Sequence, residues 1–166
     1  KTWTILIKEE DYIADLYVKV NHLVSHELPS LLHGILDRKI NPCKQKGEPT
    51  YCCTRLPKDG KINWNMPAEQ VRNLIRGVSR PFSGAFSYVD FPGFSEKQKL
   101  TIWRAELPEK PRVYEGKIPG RVGRIFKNRG VEVLTSTIPL IITEVNLEGS
   151  EYRADEIIKS TSVTLQ

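Results

Sequence analysis

The chain has 166 residues and a mass of 19.0 kDa, of which 39% are hydrophobic and 27% charged. That length holds one domain, or a short lead-in and one small domain, and the mixture excludes a disordered or fibrous chain. No apolar run approaches the roughly 20 residues of a membrane-spanning helix. The sequence opens at Lys1 with no charged-then-apolar leader, so either a tag or a large N-terminal piece is expected ahead of it.

The net charge of +5 is unevenly spread. Residues 1–40 hold 5 basic and 6 acidic side chains, residues 41–80 hold 8 and 3, residues 81–130 hold 10 and 5, and residues 131–166 hold 2 and 6. The middle ninety residues therefore carry +10. Such asymmetry suits a polyanionic partner (nucleic acid, a nucleotide-linked substrate or a phosphorylated cofactor), and equally a solvated basic face. The 3 cysteines are Cys43, Cys52 and Cys53. An odd count without a leader points to a reducing, cytoplasmic compartment. Adjacent Cys52 and Cys53 would face opposite sides of a strand, where they chelate one metal poorly; they read as small apolar side chains.

Along the chain, residues 3–7 form a short β-rich run that predicts a strand. Asp11 is placed to cap a helix. Ile13, Leu16, Tyr17, Val20, Leu23, Val24, Leu28, Leu31 and Leu32 then recur at spacings of 3 and 4, the stripe of an amphipathic helix. Pro29 should kink or break it, and Gly34 supports a stop. One strand and one helix cannot bury that stripe between themselves, so the first forty residues read as the tail of a larger domain. Residues 40–64 hold Pro42, Gly47, Pro49, Pro57 and Asp59-Gly60 and predict a loop-rich connector, with a brief strand near 50–55. A second helix should begin near Pro67, with Val71, Leu74, Ile75 and Val78 as its apolar face, and end by Pro81. Strands follow at Ala85–Val89, 100–106, 120–126, 131–136 and 138–145, with a hairpin turn at Asn128-Arg129-Gly130. Glu148-Gly149-Ser150 closes the last of them, and residues 155–159 fit one or two helical turns. Five short strands in about eighty residues predict a small closed or nearly closed barrel.

Candidate chemistry is sparse. His22 and His26 share a helix face, as metal ligands at i and i+4 do, but Leu23 stands where a zincin needs Glu, and no third ligand is evident. His33 is isolated near a helix end. No nucleophile elbow is present. Gly116-Lys117-Ile118-Pro119-Gly120-Arg121-Val122-Gly123 is glycine-rich and basic, but strand-like sequence follows it, and a turn fits better than a phosphate cradle. Arg121, Arg124, Phe126, Lys127 and Arg129 alternate basic and apolar side chains, as a nucleic-acid-binding barrel does; the same spacing also arises when arginines merely face outward.

Thr54-Arg55-Leu56-Pro57-Lys58-Asp59-Gly60-Lys61-Ile62-Asn63-Trp64 resembles the connector of the 10-formyltetrahydrofolate-dependent formyltransferases. Pro67-Ala68, Leu74-Ile75-Arg76 and Pro81-Phe82-Ser83-Gly84-Ala85-Phe86-Ser87-Tyr88 continue the pattern, and Leu100-Thr101-Ile102-Trp103-Arg104-Ala105 fits the strand that follows. Upstream, residues 11–34 resemble the last long helix of the family's catalytic domain. The likeness weakens after about Gly130.

The resemblance implies an α+β chain. Residues 1–40 would be a helical remnant of a Rossmann-like catalytic domain, residues 41–80 a connector with a helix, and residues 81–166 a small OB-like C-terminal barrel. It also implies transfer of a formyl group from 10-formyltetrahydrofolate to an amine, assisted by an Asn, a His and an Asp. Those three would lie before Lys1, so the resemblance assigns no catalytic residue here, and this chain alone is expected to be inactive. The formyl donor would be bound by the absent N-terminal domain. Arg55 and Trp64 are the substrate-contact candidates, although Trp64 also suits burial and Arg55 suits an ion pair with Asp59. The acceptor is a nucleotide-linked amino sugar or methionyl initiator tRNA. The acidic tail, with Glu148-Gly149-Ser150-Glu151-Tyr152-Arg153 in place of a basic pair, tips the reading toward the sugar.

Overall fold

A computed structural model describes residues 2–41, 43–91 and 94–166. They divide into two compact units, Lys1–Arg55 and Leu56–Gln166. No helix among the described residues is long and apolar enough to cross a membrane.

The first unit is built on α1 (Ile13–Leu36). Asp15, not Asp11, starts this helix: its carboxylate accepts the Tyr12 amide at 2.8 Å, satisfying a donor the first turn leaves open. Asp11 pairs instead with the Lys19 ammonium and accepts the Lys8 amide, contacts that hold its carboxyl below the usual carboxylate value. The helix runs through Pro29 and stops two turns later, where Arg38 takes a left-handed φ of 58° and the Lys39 and Ile40 amides both bond the Gly34 carbonyl. No residue of α1 is buried. Neither expected strand of this unit, at 3–7 or 50–55, forms among the described residues. β propensity makes a strand only where a neighbouring edge supplies the ladder.

The second unit opens with a 3-10 turn, Pro57–Gly60, in which the Asp59 carboxylate accepts the Leu56 amide at 2.8 Å. The chain then runs beside the first strand, and α2 (Ala68–Val78) follows. The Ala68 amide at its start donates to Thr137 Oγ1 at 3.1 Å. Ala68, Val71 and Ile75 are buried, while Leu74 and Val78 on the expected face are half-buried. This helix shares a unit with the strands, since the division between units falls at Arg55 and Leu56.

The strands are β1 (Ala85–Val89), β2 (Gln98–Glu106), β3 (Val122–Phe126), β4 (Gly130–Val133), β5 (Leu140–Leu147) and β6 (Ser150–Arg153), and α3 (Ala154–Ile157) ends the series. All pair antiparallel in the order β1-β2-β5-β4-β3, with β6 hairpinned onto β5. Leu100, Ile102, Leu140, Ile142 and Val145 line the buried face with Ile75 and Ile158, all at 0% exposure. At Arg104 the register of β2 against β5 shifts. That bulge leaves consecutive Trp103 and Arg104 less buried than their neighbours Ile102 and Ala105. The sixth strand, β6, was not expected. Its four side chains are all exposed, so it lacks the alternation that marks a half-buried strand; the Glu148-Gly149 turn, with φ of 51° and 86°, folds it back.

The expected barrel does not close by strand pairing. The edges β1 and β3 do not meet. The last four residues lie at both edges instead. Tyr88 and Gln166 exchange two backbone hydrogen bonds at 2.7 and 2.9 Å, the Leu165 amide bonds the Gly120 carbonyl, and the Val122 amide bonds the Val163 carbonyl. Leu165 is 1% exposed. Gly120, at φ 84°, lets the tail approach this closely, because a Cβ there would run into the Leu165 carbonyl.

Candidate functional site

The outer edge of β1 is shared by two segments. Beside Phe86 lies the connector, whose Ile62 amide bonds the Phe86 carbonyl at 2.9 Å; beside Tyr88 lies the tail. Between connector, tail and the 118–119 turn is a hollow of about 570 Å³, lined by Lys61, Asn63, Asn65, Ile118, Thr164 and Gln166 among others. That volume falls within the range of small-ligand sites.

Trp64 belongs to this hollow as a wall. It is 4% exposed, and its indole N–H donates to Ser87 Oγ at 2.8 Å, which fastens the connector to β1. Arg55 is exposed and falls in the other unit. Asp59, its expected partner, accepts the Leu56 amide.

Above the hollow, strand alternation builds a feature that the sequence reading missed. Phe86 and Tyr88 share one face of β1, and the register sets Lys99 opposite Tyr88. The two rings meet edge to face at 5.7 Å. The Lys99 ammonium sits 4.3 Å from the Phe86 ring centre, and the Lys61 ammonium 5.6 Å from that of Tyr88. Lys97 bonds the Gln166 side chain beside them. The signal was present as aromatic residues two apart in one strand and a lysine, Lys99, in the next, but it needs the register to bring them together.

The basic residues singled out in β3 and its turn are differently placed. Arg124 forks onto Glu132, with bonds of 3.1 and 2.6 Å, and Glu132 is 0% exposed. Tyr114 donates its hydroxyl to the same carboxylate. Hydrogen bonding to Glu132 raises the Arg124 pKa, while burial and then Glu132 push the Tyr114 phenol up. Arg129 pairs with Glu106 at 2.6 Å, and Arg121 donates to Thr164 Oγ1. These guanidinium groups are engaged within the fold. Both Arg124 and Arg129 also lie over Phe126.

Of the remaining candidates, the histidines and cysteines belong to the first unit. His22, His26 and His33 are exposed along α1, and Cys43, Cys52 and Cys53 are exposed free thiols. Among the described residues no three His, Cys, Asp or Glu side chains gather as a metal site would require. In the Gly116–Gly123 run, Gly116 and Gly120 have positive φ and make the turn into β3.

An α2 helix laid on an antiparallel sheet, with a connector stitched to the first strand, defines a mixed α and β domain with a basic aromatic rim. Residues 56–162 match the family described as formyl transferase, C-terminal domain, and the chain belongs to that family. It is 35% identical over 106 residues to the bifunctional polymyxin resistance protein ArnA of Wigglesworthia glossinidia brevipalpis, a stretch that covers 63% of this chain and 15% of that protein.

Proposed function

We propose that this chain is the acceptor-holding C-terminal portion of an enzyme that moves a formyl group from 10-formyltetrahydrofolate to the amine of a nucleotide-linked amino sugar, in the cytoplasm. The formyl donor and the Asn, His and Asp that assist transfer are held outside this chain, which shapes and orients. Residues 1–40 are then the end of the catalytic domain, residues 41–80 the connector, and residues 81–166 an OB-like barrel with the tail laid at its sheet edges. Trp64 contributes to the acceptor side as a wall of the hollow; Arg55, an exposed cation of the first unit, is the other candidate substrate contact.

The observation that carries this reading is the hollow with lysines at its rim, beside a β3–β4 face where Arg124 and Arg129 are paired with Glu132 and Glu106. A long RNA backbone needs a continuous track of available cations. A nucleotide sugar needs a pocket and two or three of them.

The test supplies the gene product that carries this chain with 10-formyltetrahydrofolate and, separately, a uridine-diphosphate amino sugar or methionyl initiator tRNA. Mass spectrometry should find one added formyl group on the sugar. Formylation of the tRNA alone would replace this reading with the tRNA one, and turnover by the 166-residue chain alone would overturn the placement of the chemistry outside it.

A further inference from the structure

We propose that Lys61, Tyr88 and Lys99 form a binding site for a nucleoside diphosphate, with the base stacked on Tyr88 and the two phosphates held by the lysine ammonium groups. The assignment rests on the reading above in taking a nucleotide as the acceptor's handle, and it names the residues that hold it.

The elements place these three side chains together for reasons unrelated to one another. Antiparallel register puts Lys99 opposite Tyr88. The Ile62 amide bond to the Phe86 carbonyl, with Trp64 anchored on Ser87, brings Lys61 across the strand edge. Neither ammonium has a carboxylate partner among the described residues; each is parked over an aromatic ring. The guanidinium groups of Arg124 and Arg129, by contrast, are each neutralised by a glutamate. Two uncompensated cations beside a ring make the rim attractive to an anion that also carries a flat face.

The burial of the two rings selects the size of that ligand. Phe86 is 6% exposed and lies beneath Lys99, whereas Tyr88 is 38% exposed. Of these two rings Tyr88 therefore offers the surface, once the Lys61 ammonium swings from its face onto the phosphates, and one platform takes one base. Binding of a nucleic-acid strand relies on successive platforms along a charged groove. The hollow begins at Lys61 and Gln166, next to the phosphate position, and its Asn63 and Asn65 amides suit the hydroxyl groups of a sugar. A nucleotide sugar laid on the rim would thus run base, diphosphate, sugar from Tyr88 into the hollow.

The experiment titrates the whole chain with uridine diphosphate, adenosine diphosphate and inorganic pyrophosphate, by calorimetry and by amide chemical shifts. Both nucleotides should bind saturably, about tenfold or more tighter than pyrophosphate, because stacking on an aromatic side chain contributes roughly that factor. Tyr88→Ala should remove this margin and Tyr88→Phe should keep it, while Lys61→Gln and Lys99→Gln should each weaken both nucleotides and pyrophosphate several-fold. Unchanged melting of Tyr88→Ala, Lys61→Gln and Lys99→Gln separates lost binding from lost folding, and retained binding by Tyr88→Phe assigns the margin to the ring. Absence of saturable nucleotide binding, nucleotide binding indifferent to all three residues, or oligonucleotide binding that strengthens with length would overturn the site. If the gene product formylates a nucleotide amino sugar with a KM that Tyr88→Ala leaves unchanged, the site falls while the proposed function stands. If it formylates only tRNA but uridine diphosphate binding still depends on Tyr88 and Lys99, the site stands and the proposed function falls.

Discussion

The two helices α1 and α2 carry the same kind of pattern and meet different fates. Both repeat apolar residues at helical spacing, yet no residue of the 24-residue α1 is buried, while the 11-residue α2 buries Ala68, Val71 and Ile75. Leu28 and Leu32 in α1 are 43% and 49% exposed, and Ile75 in α2 is 0% exposed. An apolar stripe is a demand for a partner. The sheet meets that demand in the second unit, and nothing comparable exists within the first.

This contrast can be broken most sharply by removing the same amount of hydrocarbon from each unit. Ile142→Ala, at a position with 0% exposure in β5, should cost about 3–4 kcal/mol of unfolding free energy in urea titrations. Leu28→Ala in α1 should change it by no more than about 0.5 kcal/mol. Equal effects would mean that α1 is as closely packed as the sheet.

A smaller effect is expected from the buried ion pair. Arg124→Ala leaves Glu132 desolvated with only the Tyr114 hydroxyl for company, and should cost about 2–3 kcal/mol. Adding Glu132→Leu should recover more than half of that loss, because the penalty lies in the stranded carboxylate rather than in the absence of the guanidinium. A double variant no more stable than the single one would show that the network shapes the loop around Tyr114 instead.

The smallest effect concerns acid. Burial pushes the Asp155 carboxyl up, but the Asn128 amide at 2.9 Å and the Arg153 guanidinium at 3.2 Å outweigh it and hold its pKa below the ordinary value. A lowered native pKa means stability that is present above the unfolded value of about 4 and is lost as pH falls through the native one. Asp155→Asn should therefore be less stable than the parent by up to about 1 kcal/mol at neutral pH, and the gap should shrink below about pH 4. A gap that widens in acid would reverse the sign of this linkage.

Legibility in the sequence tracked how local each cause was. β1 falls on its expected bounds because the β-prone run Ala85–Val89 sits between Gly84 and Asp90. The positions of β2, β3 and the turn at Asn128 follow from alternation and from the αL-tolerant Asn, at φ 63°. β6 was illegible because its residues are all exposed. The strand at 3–7 was read from propensity alone, and propensity cannot report the absence of an edge to pair with. At the candidate site, Trp64 was legible as a large residue wanting burial. Tyr88, Lys61 and Lys99 were not, since they come from three separate segments and meet only through register.

Composition and periodicity by themselves determined the helices, most of the strands and the basic middle of the chain, and the resemblance carried by the block at 54–64 pointed to the family. Only the tertiary structure decided which cations are available and how the sheet ends. Both outcomes depend on contacts between residues distant in sequence, such as Arg124 with Glu132, Arg129 with Glu106, and the tail with Gly120 and Tyr88. Charge and propensity belong to a residue alone, whereas neutralisation and strand pairing belong to a pair, and a pair exists only once the chain has folded.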